Sequence, residues 1–174
     1  MEMGFPMVEI TLDPMSLEEF ETFKERTIRN YADENIKAGY WLSSEAIGRS
    51  IEAHQKLLPE GISTEGHHLF MARDIKSKET VGYIWLNIEK NVAIPSGFIF
   101  ALFIYEQFRG RGYGAAMMKE MEAKASELGL RRLMLHVFAQ NPVAIHLYEK
   151  SGYCVTSLNM MREIPKQEFP GLSK

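Results

Sequence analysis

The sequence predicts an α/β domain: a mixed sheet with helices on both of its faces. Three stretches of the 174-residue chain carry that expectation. Residues 97–105 run Gly-Phe-Ile-Phe-Ala-Leu-Phe-Ile-Tyr, almost without a polar side chain. A strand that is apolar on both faces belongs in the middle of a covered sheet. A glycine cluster, a helical pattern and a second strand at 132–138 follow it, and strand–helix–strand at this spacing makes the two strands parallel. Earlier, strands at 69–73 and 81–88 flank the polar stretch 74–79, which reads as a hairpin connection.

Taken in order, residues 8–12 alternate as Val-Glu-Ile-Thr-Leu and read as the first strand. Ser16, with Glu19 three positions on, is a capping-box helix start. Leu17, Phe20, Phe23 and Ile28 mark the apolar stripe of that helix, which ends near Gly39. A second helix runs from about Ser44 through Ala46, Ile47, Ile51 and Leu57 to Pro59. Beyond the hairpin and the apolar strand, Gly114, Met117, Met118, Met121, Ala125 and Leu128 recur at helical spacing and form one buried face. Gly129 is placed to end that helix. In the strand at 132–138, Leu133, Leu135 and Val137 point one way, and Met134, His136 and Phe138 the other. A short helix from Pro142 to Lys150 stops at Gly152, and a last strand runs from Tyr153 to about Glu163. Residues 165–174, with two prolines and a glycine, read as a loose tail. The length suits a single domain spanning 1–174.

Charge and composition narrow the partners. Twenty basic and 23 acidic residues leave a net charge of −3, too little of one sign to draw in nucleic acid or an anionic membrane. No apolar run approaches the roughly 20 residues of a membrane span, and no basic-then-apolar leader opens the chain. The single cysteine, Cys154, forms no intrachain disulfide and reads as a small buried hydrophobe. The expected setting is cytoplasmic. No metal is expected: adjacent His67 and His68 point to opposite sides of a strand and make no ligand set.

The chemistry is concentrated in Arg109-Gly110-Arg111-Gly112-Tyr113-Gly114. Glycines permit positive φ and a close approach of backbone to a ligand. The helix that follows offers unpaired N–H groups and a partial positive charge, a ready anion site. Arg109 and Arg111 add charge at the rim, so a phosphate group suits this turn. A dinucleotide fold wants G-x-G-x-x-G and an acid after the next strand; here the glycines follow G-x-G-x-G and that strand ends Val137-Phe138-Ala139-Gln140. A P-loop needs Gly-Lys-Ser/Thr, which is missing. By itself the cluster also fits a tight strand-to-helix turn that holds nothing.

The cluster has company. Arg109-Gly110-Arg111-Gly112-Tyr113-Gly114 matches Arg/Gln-x-x-Gly-x-Gly/Ala after a long central strand, and Asn141-Pro142-Val143-Ala144-Ile145-His146-Leu147-Tyr148 leads to Gly152-Tyr153. With these two motifs in order, the sequence resembles the GNAT superfamily of acyl-CoA N-acyltransferases over about residues 98–155. The resemblance implies the GNAT fold, a mixed and mostly antiparallel sheet with a parallel βαβ core. It implies acetyl-CoA as co-substrate, and transfer of acetyl to a primary amine on a small molecule or peptide. By position, the backbone N–H groups of Arg109, Gly110, Arg111, Gly112, Tyr113 and Gly114 would hold the pyrophosphate. The main chain of Leu102, Phe103 and Ile104 would pair with the pantetheine arm as an added strand does. Asn141 would hydrogen-bond the pantetheine. Tyr148 would sit near the thioester sulfur and serve as the proton donor.

The reaction asks for little else. An amine attacks the thioester carbonyl, whose oxygen needs a donor such as a backbone N–H of the central strand. The departing thiolate needs a proton, which a tyrosine hydroxyl can give. Many relatives carry an acid in the central strand that serves as base through water. This strand has none, and Ala101 stands near the place. Deprotonation of the acceptor is therefore expected to run to solvent or through water to a group outside the strand, with Glu106, His136 and His67 as the remaining residues of suitable chemistry. Considered without the motif, Tyr148 is a packing tyrosine, Asn141-Pro142 a helix start and His136 a core residue. A second functional class stays open: a CoA-binding sensor or structural module with weak turnover. The acceptor's identity and a homodimer are both left undecided.

Overall fold

Strand β4 (Ser96–Ile104) is the long apolar run of the sequence, and it stands between an antiparallel and a parallel neighbour. The computed structural model describes residues 8–89 and 92–165. Its five-stranded sheet is ordered β1 (Ile10–Pro14), β2 (His67–Asp74), β3 (Thr80–Glu89), β4 and β5 (Arg132–Leu135). The first four strands pair antiparallel and β5 joins β4 in parallel. Helices α1 (Leu17–Lys37) and α2 (Ser43–Leu57) precede β2; α3 (Tyr113–Glu127) makes the crossover from β4 to β5; α4 (Pro142–Lys150) follows β5. The expected mixed sheet with a parallel βαβ unit is what forms. Among the described residues, no helix is long and apolar enough to cross a membrane.

Each face of the sheet carries its own core. On one face Phe20 and Phe23 of α1 pack with Met71, Tyr83 and Trp85. On the other, Met117, Met118 and Met121 of α3 pack with Phe70, Ile84, Leu86 and Ile99. The three methionines are wholly buried, as the helical spacing predicted. Local signals act where the sequence put them. The Ser16 hydroxyl accepts from Glu19 N–H while the Glu19 carboxylate accepts from Ser16 N–H. Past α3, Gly129 takes φ +74°, and the N–H groups of Gly129 and Leu130 bond the carbonyls of Ser126 and Ala125, the paired bonds that close a helix C-terminus.

Several expectations are corrected, beginning with Leu17 and Leu128, which the helical spacing puts on buried faces and which are exposed. In α2 the buried residues are Ala46, Ser50 and His54, while Ile47 and Ile51 are exposed. The inward face turned toward Ser50 because its hydroxyl can donate to the Ile28 carbonyl of α1 at 2.7 Å. Strand β5 stops at Leu135 rather than 138, because β4 has left it by that point. No strand forms over 153–163; residues 154–165 have no regular structure and are exposed. That segment has no two-residue apolar period: Val155 and Met161 would fall on one face, Leu158, Met160 and Ile164 on the other. Cys154, expected buried, lies in this segment and is exposed. Of the expected tail at 165–174, all but the first residue lies outside the described residues.

Candidate active site

The site begins with a break in the sheet. Register along β3 shifts between Trp85, opposite Ala101, and Leu86, opposite Ile99, so Phe100 is an extra residue on β4. Such a bulge bends its strand. The pairing with β5 ends at the same place, with Ile99 opposite Leu135. Beyond it the two parallel strands diverge around a cavity of about 170 Å³. Tyr105 N–H donates to the Val81 carbonyl of β3 at 2.9 Å. Because main-chain groups alternate sides along a strand, Phe103 also faces β3, and Leu102 and Ile104 turn theirs toward the gap.

The cavity gathers several of the residues singled out in the sequence. Leu102, Phe103, Asn141 and Tyr148 all line it, together with Ala101, Phe100, Leu135, His136 and Phe138. Asn141 caps α4 by accepting from Ala144 N–H at 3.1 Å. Its amide nitrogen then has no partner among the described residues. Tyr148 is half-buried and its ring lies 6.0 Å from that of Tyr153. The helix-ending bond of Tyr153 N–H to the Tyr148 carbonyl, at 3.0 Å, holds the two together. The Tyr148 hydroxyl makes no hydrogen bond among the described residues. Burial raises its pKa above the ordinary 10.0, so it stays protonated at neutral pH.

The glycine turn lies outside the cavity lining, between the end of β4 and α3. Gly112 has φ +90° and precedes the first residue of α3, a conformation that side chains other than glycine's rarely accept. It brings no side chain to cap the helix, so the N–H groups of Tyr113, Gly114 and Ala115 stay open. Gly110, at φ +71°, has open space where a side chain would stand. Gly114 has a different neighbour: a Cβ there would lie 3.1 Å from Leu147 of α4. Tyr113 contributes only its backbone, since its buried hydroxyl donates to Asp74 at 2.8 Å. The Arg111 guanidinium lies over the Phe108 ring at 5.9 Å. Arg109 folds back: its Nε–H donates to the Ile104 carbonyl at 3.1 Å and its guanidinium lies 5.3 Å from the Phe103 ring centre.

These features invite comparison with known proteins. A family model described as Acetyltransferase (GNAT) family matches residues 29–153. The chain belongs to that family. It is 36% identical over 155 residues to the uncharacterized N-acetyltransferase YycN of Bacillus subtilis, covering 89% of this chain and 99% of YycN. It is 34% identical over 154 residues to the uncharacterized N-acetyltransferase YdgE of the same organism, covering 88% and 98%. The crystal structure of YycN superposes with a TM-score of 0.87 over 90% of this chain and 99% of that one. A spermidine N(1)-acetyltransferase of Vibrio cholerae is 27% identical over 129 residues, covering 74% and 72%. This GNAT chain is an acyltransferase enzyme of the N-acetyltransferase kind.

Within the GNAT frame the candidates for a base separate. Glu106 is exposed and pairs loosely with Arg109 at 3.8 Å. His67 accepts a hydrogen bond from Trp85 Nε1–H at 2.9 Å, and burial lowers its pKa. His136, read in the sequence as core, is exposed and lines the cavity. The sequence reading missed one wall altogether. Thr27, Asn30, Tyr31 and Glu34 of α1 line the cavity too. Their spacing of three, four and seven is that of one helix face, continuing the stripe begun by Phe20 and Phe23. An inward stripe that turns from apolar to polar was the available signal. A second hollow, of about 230 Å³, opens beside Glu18, Glu19, Arg26 and Tyr105; neither the splayed strands nor the glycine turn borders it.

Proposed function

We propose that this GNAT enzyme transfers acetyl from acetyl-CoA to a primary amine, in the gap between β4 and β5. The observation that carries this reading is the cavity at the splay. It collects the free Tyr148 hydroxyl and the free Asn141 amide nitrogen beside a strand edge where Leu102, though in register with Ile84 of β3, has no partner on the β5 side.

The residues present fit acetyl-CoA on three counts. The open N–H groups at the start of α3, with Arg111 nearby, suit a pyrophosphate. The unpaired main chain of Leu102 and Ile104 suits the amides of an extended pantetheine arm. For Ile104 that requires Arg109 to release the carbonyl it now holds. The Asn141 Nδ2 group can donate to a pantetheine carbonyl while Oδ1 continues to cap α4. Bound there, acetyl-CoA supplies the activated acetyl group.

The chain's own contribution is then modest and specific. Tyr148 holds a proton at its hydroxyl and delivers it to the leaving sulfur as the C–S bond breaks, while the amine that forms the C–N bond gives its own proton to solvent, from which Tyr148 is reprotonated. Its raised pKa keeps that proton in place through neutral pH. The aromatic and aliphatic walls, Phe100, Phe103, Leu135 and Phe138, exclude water from the thioester. Acceptor binding falls to the α1 wall. The reading is tested by mixing the protein with acetyl-CoA and a panel of primary amines and following release of free CoA thiol. Amine-dependent release is the expected result; no release with any amine, and no acetyl-CoA binding by calorimetry, would refute it.

A further inference from the structure

The α1 wall of the cavity has a definite electrical character. Among the described residues that line the cavity, Glu34 is the only carboxylate, no lysine or arginine is present, and His136 supplies an imidazole. The remaining α1 contributions, Thr27, Asn30 and Tyr31, are neutral hydrogen-bonding groups, and Phe100 and Phe138 supply aromatic faces. A cavity that offers a carboxylate and aromatic faces favours an ammonium ion, through charge-assisted hydrogen bonds and through ring quadrupoles. A ligand carboxylate entering the same space would face Glu34, a group of like charge, with no lysine or arginine among the described lining residues to offset it.

Glu34 is also held in place for the purpose. Its main-chain carbonyl accepts from Gln140 Nε2–H at 3.2 Å. That bond ties the last turns of α1 to the residue next to Asn141, across the gap. Among the described residues, the Glu34 side chain pairs only with Lys37, one helical turn away and largely exposed, at 3.2 Å. Surface pairs of that kind contribute little, so a ligand ammonium can take Lys37's place. The two ends of the cavity lie on different faces of the sheet. Tyr148 packs against the α3-side core, while α1 covers the other face. An acceptor reaching in from the α1 side therefore passes Glu34 before it approaches Tyr148.

We propose that the acceptor is a cationic amine with no carboxylate near its ammonium groups, and that Glu34 is the residue that selects it. The proposal rests on the reading of this gap as an acetyl-transfer site. Two probes of equal chain length isolate the point: putrescine, which ends in a second ammonium, and γ-aminobutyrate, which ends in a carboxylate. With acetyl-CoA saturating, thiol release is expected to show a much higher kcat/KM for putrescine. Glu34→Gln is expected to raise the putrescine KM about 10- to 100-fold, the worth of one hydrogen bond to a charged group, with kcat changed far less. Acetyl-CoA affinity by calorimetry should be unaltered in that variant. Glu34→Lys should reverse the order of the two probes. Equal rates for the two probes, or a putrescine KM unmoved by Glu34→Gln, would overturn the proposal and leave the acetyl-transfer reading standing. Failure of the wild-type protein to turn over either probe overturns it as well. If acetyl-CoA also fails to bind, the acetyl-transfer reading falls with it.

Discussion

The two flanks of β4 differ sharply. Toward β3 the strand is paired from Ser96 to Ile104, so closely that a Cβ added at Gly82 would collide with the Phe103 carbonyl. Trp85, Tyr83 and Ile84 on that side are at most 1% exposed. Toward β5 the pairing covers only Ser96–Ile99, α4 contains no fully buried residue, and a cavity stands where further strand pairs would be. One edge of the strand is used to build the sheet and the other is left for a ligand. Main-chain groups on the second edge are costly to leave unpaired out of water, so a strand-like ligand is the natural occupant.

This contrast can be broken by substitution. The largest effect should be chemical and confined to the β5 flank. Tyr148→Phe is expected to lower kcat about 10²–10⁴-fold, the span for one general acid, with thermal stability and acetyl-CoA affinity nearly unchanged. A rate within a factor of a few of wild type, measured where chemistry is limiting, would return Tyr148 to packing. On the β3 flank the effect should be structural. Trp85→Ala is expected to cost about 3–5 kcal/mol in urea unfolding, as large-to-small changes of buried aromatics do. A small cost there would mean the tight flank is less tightly packed than it looks.

Between these lies the phosphate turn. Gly112→Val is expected to weaken acetyl-CoA binding strongly, because it adds a side chain beside the open N–H groups of α3. It also forces a β-branched residue to φ +90°, at an order of 1–3 kcal/mol of strain, so unfolding must be measured beside binding. Gly114→Val is the less clean probe, since it would press on Leu147 and disturb α3 against α4.

The smallest expected effects are those of pH, and they separate the flanks again. Tyr148 keeps its proton to above pH 10 because burial raises its pKa. The fall of kcat/KM at high pH should therefore lie above that of an ordinary phenol; a fall near pH 8 would assign the proton to another group. His54 and His67, against Trp85, have pKa values lowered from 6.5 chiefly by burial. Folded, they stay neutral where the unfolded chain would take up protons. Stability from that side is thus full above pH 6.5 and is lost as pH falls below it. A denaturation midpoint that stays level from pH 7 to 5 would contradict this.

Local chemistry carried most of what the sequence revealed. An unbroken apolar run could only be a central strand, Ser16 with Glu19 could only start a helix cheaply, and Gly112 marked the turn that needed positive φ. Asn141 followed by Pro142 announced the cap of α4. What stayed hidden depends on pairing and on neighbours distant in the chain. The Phe100 bulge is a matter of register against β3, which no single strand records. Glu34 beside Lys37 looks like any solvated helix pair until α1 is laid across the gap. His136 alternates as a core residue would, yet β4 has bent away by that point and leaves it in the cavity.

The alternation of the β4 main chain gives the most direct test of the account. Amide hydrogen exchange, resolved by residue, can be compared with and without acetyl-CoA. Leu102 and Ile104, facing the gap, should exchange much more slowly when acetyl-CoA is present, as should Tyr113, Gly114 and Ala115 at the start of α3. Phe103, already turned to β3, should change little. Protection of Phe103 alone, or no protection on β4 while acetyl-CoA is demonstrably bound, would contradict the assignment of this edge to the ligand.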